Sequence, residues 1–234
     1  MIKNFNLFVI FLSLFFIKIS LKLKNHKLCG LLILINIRKI KKIKTESKNS
    51  KKILVFPKSG GFEDLVESFS KKKSNISFYL LPRTFLKEIF NHFFNQKDRD
   101  NIKDYYTKLK SHEKIEKKKE YINFLTLTFK YINNFLKLNG YVSFNLFYYA
   151  EKYFEEVCVN LNSKFIIMQK ESIFTPAEEA GALKIYKEYN DKSQSYRVSV
   201  YSQSQKKILT NSGLIKKERV VINGNPRCDY SFKL

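Results

Sequence analysis

Four short stretches hold the side chains that could do chemistry. Gln169-Lys170-Glu171-Ser172 sets a carboxylate directly after an apolar run. A glutamate at such a position suits a general base acting on an acceptor hydroxyl, so Glu171 is the candidate catalytic residue. Local capping or ion pairing is its competing use, and Ser172 also suits a helix cap. Gly224-Asn-Pro-Arg-Cys-Asp229 pairs a glycine that lets the chain turn steeply with Pro226, which holds Asn225 extended. Arg227 and Asp229 can then fix the loop or meet a charged ligand. Ser59-Gly60-Gly61 can bring backbone N–H groups close to an anion at a helix start, and a tight turn accounts for the same residues equally well. It is neither a GxGxxG fingerprint nor a P-loop. Ser202, in Tyr201-Ser202-Gln203, reads as an N-cap that could also line a cleft. The candidate substrate contacts are therefore Ser59, Gly60, Gly61, Gln169, Lys170, Ser172, Ser202, Asn225, Arg227 and Asp229.

The elements that position these residues alternate. Short apolar runs over 51–57, 76–81, 140–145, 164–169, 197–201 and 219–223 read as buried strands. Between them, helical spacing covers 62–72, 85–95 with Thr84 as cap, 98–137, 147–160, 175–190 with Pro176 at its first position, and 202–212 stopped by Gly213. Six buried strands separated by helices predict an α/β fold: one Rossmann-like, doubly wound parallel sheet. In such a sheet functional groups gather at the carboxyl ends of the strands. Here those ends read Lys58-Ser-Gly-Gly61, Leu81-Pro-Arg83, Asn145, Gln169 to Ser172, Tyr201-Ser-Gln203 and Gly224 to Arg227. Polar residues collect there, while the strand bodies stay apolar.

Charge sets the first fifty residues apart. The chain carries 44 Lys+Arg against 21 Asp+Glu, a formal +23, and arginine stands only at 38, 83, 99, 197, 219 and 227. Lysine thus supplies 38 of the basic residues, together with much Asn, Ile and Phe and no Trp, a bias typical of an AT-rich genome. A specific nucleic-acid reader leans on arginine and carries a recognisable module; this chain has little arginine and no such module, so no nucleic-acid partner is expected. Residues 1–52 hold 13 basic residues and one acid, together with two greasy runs over 5–21 and 28–37. Each run is shorter than the roughly 20 residues that span a bilayer. A single-pass anchor with Lys18 snorkelling and a segment lying in the plane of anionic lipid are the two competing readings, ahead of a cleaved signal. Both put the body on the cytoplasmic face of the inner membrane. The expected division is a membrane-associating segment over 1–37, a lysine-rich linker over 38–52 and the folded domain over 53–230. Cys29, Cys158 and Cys228 lack CxxC spacing, and the three histidines are isolated, so no metal or cofactor site is expected.

The order of these motifs resembles a family. The early strand-glycine loop, Gln169-Lys-Glu-Ser172, the Val200-Tyr-Ser202 helix start and the closing Val220-Val-Ile-Asn-Gly-Asn-Pro-Arg-Cys-Asp229 are similar to the N-terminal half of GT-B glycosyltransferase-like proteins of capsule and lipopolysaccharide biosynthesis. The likeness covers roughly residues 51–230, with most of its specificity in 165–229. It implies an acceptor-side domain, a polysaccharide or lipid-linked acceptor, and a nucleotide-sugar domain supplied by a second chain, since this one stops at Leu234. A truncated or split product fits the same pattern. The alternative from another class is a non-catalytic, membrane-associated scaffold or remnant of the same fold.

Overall fold

The computed structural model describes residues 7–40, 50–70, 74–94, 112–169, 175–188 and 192–224. Its elements in chain order are α1 (Leu7–Lys22), α2 (His26–Asn36), β1 (Arg38–Lys39), β2 (Lys51–Val55), α3 (Gly61–Ser70), β3 (Ile76–Leu80), α4 (Arg83–Phe93) and α5 (His112–Leu136). There follow β4 (Gly140–Ser143), α6 (Phe154–Asn160), β5 (Lys164–Met168), α7 (Pro176–Lys187), β6 (Arg197–Val200), α8 (Gln203–Asn211) and β7 (Val220–Ile222). The fold is α/β, with the strands in one seven-stranded sheet of order β1-β3-β2-β4-β5-β6-β7. The six strands expected from the apolar runs are parallel to one another.

The seventh strand was not expected. Arg38 and Lys39 pair antiparallel with Leu80 and Tyr79, so the stretch expected to begin a solvated linker instead closes one edge of the sheet. Ile40 continues the pairing through its N–H to the Phe78 carbonyl (2.9 Å) and is buried. Basic side chains on a two-residue edge strand blunt that edge against further pairing.

Alternation along the strands sorts two faces. Leu54, Tyr141, Phe165, Ile167, Val198 and Val200 point to one side, where α4, α5 and α6 cover them. Phe154 is the hub of that side: its ring lies 4.9 Å from Phe56, 4.8 Å from Phe129 and 5.1 Å from Tyr141, all edge-on. Val55, Phe78, Leu80, Val142 and Phe144 point to the other side, where α3 lays Phe62, Leu65 and Val66 on them. Thr175 and Glu178 form a reciprocal capping box that starts α7, with Pro176 in its first turn as the sequence predicts.

The greasy head is built into this core. Helices α1 and α2 form an antiparallel hairpin laid over α4 and α5, and Ile17, Leu21, Cys29 and Ile33 are fully or almost fully buried there. Polar side chains inside the hairpin are mostly paired: Asn36 Nδ2 donates to Ser13 Oγ and to the Leu32 carbonyl (both 2.8 Å), and Ser20 Oγ donates to the Ile17 carbonyl (2.8 Å), while the buried Asn36 Oδ1 has no hydrogen-bond partner among the described residues. Burial pushes the Cys29 thiol up to about 12, which leaves it unreactive. Among the described residues no helix is long and apolar enough to cross a membrane, α1 having 16 residues.

The hairpin approaches α5 most closely at Gly30, where a Cβ would lie 2.8 Å from Tyr131 Cδ1 and 3.1 Å from the Thr128 carbonyl oxygen. Backbone oxygen cannot yield as a side-chain tip can. Gly30→Val should therefore destabilise the fold by about 1–3 kcal/mol through overpacking, read as a lowered midpoint in chemical denaturation.

Candidate functional site

The topology marks one place on the sheet. From β2 the chain moves to β3 on one side, then resumes as β4 on β2's other side. The loops after β2 and β4 therefore leave toward opposite faces, and at such a switch point an open α/β sheet forms its crevice, at the carboxyl ends of the strands. Residues 56–61, Pro82-Arg83 and 144–153 converge there.

Two local departures from the expected elements build the site. Helix α4 begins at Arg83 with Pro82 as N-cap, and the exposed Thr84 caps nothing, so the Arg83 guanidinium sits on the first turn at the crevice. The helix expected from Phe147 begins only at Phe154, because the Asn145 side chain accepts the Phe147 N–H (2.7 Å) and turns the chain first. Two further turns follow, and they bring Glu151 inward to 3% exposure.

Glu151 accepts from Arg83 Nε on one oxygen and from Ser143 Oγ on the other. Arg83 also lies face-on to the Tyr148 ring, 3.9 Å from its centroid, and Lys58 Nζ stands 5.4 Å from the same centroid. Burial pushes the Glu151 carboxyl up; the Arg83 charge and the Ser143 and Arg83 hydrogen bonds pull it back part of the way. Burial holds Lys87, one turn along α4, below the ordinary lysine value, and the charges of Arg83 and Lys58 press the same way. Three cations thus surround one buried carboxylate, an arrangement suited to binding an anion.

The candidate residues that the structure describes are mostly committed to the fold. Gly60 has a positive φ of 86° and gives its N–H to Glu63 Oε2 (2.6 Å), so the first turn of α3 is capped by its own carboxylate. Gly61 is buried against Phe144, whose ring a Cβ would meet at 2.4 Å. Ser59 is exposed on this turn. Gln169 is buried and accepts the Leu146 N–H (3.0 Å), tying the end of β5 to the loop after β4. The 59–61 turn and Gln169 therefore both meet residues 144–146 beside the crevice. Ser202 caps α8 by accepting the Gln205 N–H (3.1 Å), at the end of β6, away from the β2–β4 crevice. Lys170, Glu171, Ser172, Asn225, Arg227 and Asp229 lie outside the described residues.

Sequence reasoning missed Glu151, Tyr148 and Lys87 as site residues. Lys58 and Arg83 stood in the strand-end stretches, but Glu151 was hidden inside an expected helix, and only the Asn145 turn signal hinted otherwise.

A second buried carboxylate, Glu155 on α6, accepts from Ser193 Oγ (2.9 Å), Ser195 Oγ (2.7 Å) and the Gln194 N–H, and so anchors the approach to β6. Beside it an open cleft of about 810 Å³ carries Lys118, Lys192, Lys216, Lys217 and Arg219. Lys118 is paired with Glu156 at 2.7 Å, and this cleft adjoins the entries to β6 and β7 rather than the carboxyl ends. Comparison with family models, with curated proteins and with solved structures finds no match to the chain.

Two outcomes follow from the buried carboxylates. Glu151→Ala strands the Arg83 guanidinium in a nearly closed site and should cost about 3–5 kcal/mol in denaturant titrations, with Glu151→Gln milder. Burial raises Glu155 above the ordinary 4.5, so the folded chain keeps that proton to a higher pH than the unfolded chain. Its stabilising contribution is complete below about 4.5 and is lost as pH rises through the raised value. Glu155→Gln should remove that loss, so the parent should fall relative to the variant as pH rises above 4.5, by at most ~1.4 kcal/mol per pH unit.

Proposed function

We propose that the chain is a membrane-docked, Rossmann-like acceptor-side domain of a glycosyltransferase-like system for surface polysaccharide, working on the cytoplasmic face of the inner membrane. The observation that carries this reading is the outer face of α1. Leu7, Phe8 and Phe11 are 80%, 70% and 71% exposed, and Leu12, Phe15, Phe16, Ile19 and Leu23 continue the stripe, with Leu31 and Ile35 from α2 alongside. A helix apolar all round wants apolar surroundings on every side; here the core covers one side only. Lys18, Lys22, Lys24 and Lys27 flank the stripe. Lysines beside an exposed apolar face support docking on anionic lipid.

The crevice lies at the same end of the molecule as the start of α1. Lys18 pairs with Glu88 at 3.8 Å, and Lys22 and Lys24 act on His92, so α1 and α4 run in the same direction. At about 1.5 Å per residue, the first turn of α1 reaches roughly 8 Å past Arg83. An acceptor held by its lipid would thus arrive beside the switch point. The strand order and the sequence resemblance support the glycosyltransferase-like part of the reading, with the donor sugar nucleotide held by a second chain.

A non-catalytic membrane scaffold of the same fold is the second reading. It is favoured by the structural use of Gly60, Gly61, Gln169 and Ser202. Both readings require docking, and turnover with a co-encoded partner, a sugar nucleotide and a lipid-linked acceptor separates them. For docking, the full chain should float with phosphatidylglycerol vesicles. Phe8→Ser/Phe11→Ser/Phe15→Ser should weaken that binding about tenfold or more while leaving the unfolding midpoint within a few degrees. Flotation that is equal for parent and variant would remove the membrane reading.

A further inference from the structure

We propose that Lys58, Arg83 and Lys87 form a binding site for a phosphate monoester or diphosphate group in the crevice between the ends of β2 and β4. The inference deepens the membrane-docked reading, and its lipid arm rests on it.

The geometry comes first. Glu151 engages Arg83 through Nε, which leaves the two terminal amino groups of the guanidinium without a hydrogen bond among the described residues. The Tyr148 ring, its centroid 3.9 Å from Arg83 Cζ, braces that fork on one side. Arg83 is therefore pre-organised for two-point contact with an oxyanion. Lys58 reaches the same ring from the β2 loop, and Lys87 stands one turn beyond Arg83 on α4. Neither lysine has an ion pair among the described residues. Both are half-buried, so their charges are less screened than those of exposed lysines.

Charge selects the ligand. Three cations against the Glu151 carboxylate leave about two positive charges uncompensated. A phosphate monoester carries about −1.5 to −2 at neutral pH, whereas a carboxylate or a phosphodiester supplies only one negative charge. Burial lowers the Lys87 value most, the like charges of Arg83 and Lys58 add to it, and a dianion would offset that repulsion. Helix α3 adds little of its own, because Glu63 already caps its start. Position then gives two sources for one chemistry: a soluble phosphate compound entering the crevice, or the phosphate of a lipid lying under the first turn of α1.

The test uses the full chain. Inorganic pyrophosphate is titrated calorimetrically in non-ionic detergent. Flotation compares phosphatidylcholine vesicles containing phosphatidic acid with phosphatidylglycerol vesicles of matched surface charge. Lys58→Gln/Lys87→Gln is compared with Lys216→Gln/Lys217→Gln, which removes equal charge from the opposite cleft. Both pairs avoid the buried Arg83–Glu151 contact, so folding is preserved. The proposal expects pyrophosphate binding, a preference for phosphatidic acid, or both, weakened about tenfold or more in the first variant and unchanged in the second. Pyrophosphate binding alone assigns the site to soluble phosphates, and phosphatidic acid preference alone assigns it to lipid. Absence of both, or equal losses in the two variants, overturns the site. The α1 serine variant separates this failure from failure of docking: it should lose vesicle binding and keep pyrophosphate binding.

Discussion

One buried carboxylate organises the carboxyl edge of the sheet. Glu151 ties the end of β4 through Ser143 to the start of α4 through Arg83, and it does so at the point where the chain reverses its direction across the sheet. A carboxylate with 3% exposure needs both oxygens satisfied, and here a cation stands against it as well. Meeting that requirement holds Arg83 beside the Tyr148 ring, which Lys58 also approaches from the loop after β2, and Lys87 follows one turn along α4. The buried acid neutralises one of these three cations and leaves the crevice with an excess of positive charge.

The opposite treatment of Glu155 makes the contrast clear. That carboxylate has no ion pair among the described residues and is held by serine hydroxyls and backbone N–H groups. It joins α6 to the segment entering β6 and leaves no unbalanced cation behind. The first carboxylate generates a field that reaches solvent; the second closes a seam in the core.

The apolar head follows a third constraint. The 16 described residues of helix α1 are too few to cross a bilayer, and they are too greasy to lie bare in water. The hairpin with α2 resolves half of the problem by burying Ile17, Leu21, Cys29 and Ile33 against α4 and α5. The other half remains as the exposed phenylalanine stripe. Because α1 runs alongside α4, the stripe begins at the end of the molecule where the cations gather. Membrane docking and anion binding would then share one end of the domain.

The periodicity of the chain was enough to place all six parallel strands, since short apolar runs bounded by helical spacing have few other ways to be buried. Gly60 as a turn, Pro176 as a helix start and Ser202 as a cap were legible for a related reason: each acts within three or four residues of itself. Three things were not legible. Arg38 and Lys39 became an edge strand through pairing with Leu80 and Tyr79, some forty residues away. Residues 1–37 read as a separate segment, yet α1 and α2 found α4 and α5 as partners for one of their faces. Glu151 sat in an amphipathic pattern that read as helix, and only the Asn145 turn and the distant Arg83 decided otherwise. Local spacing determines which segments bury a face and where a helix starts. Which cation meets which carboxylate depends on strand order, and strand order is fixed only when the whole sheet has closed around its core.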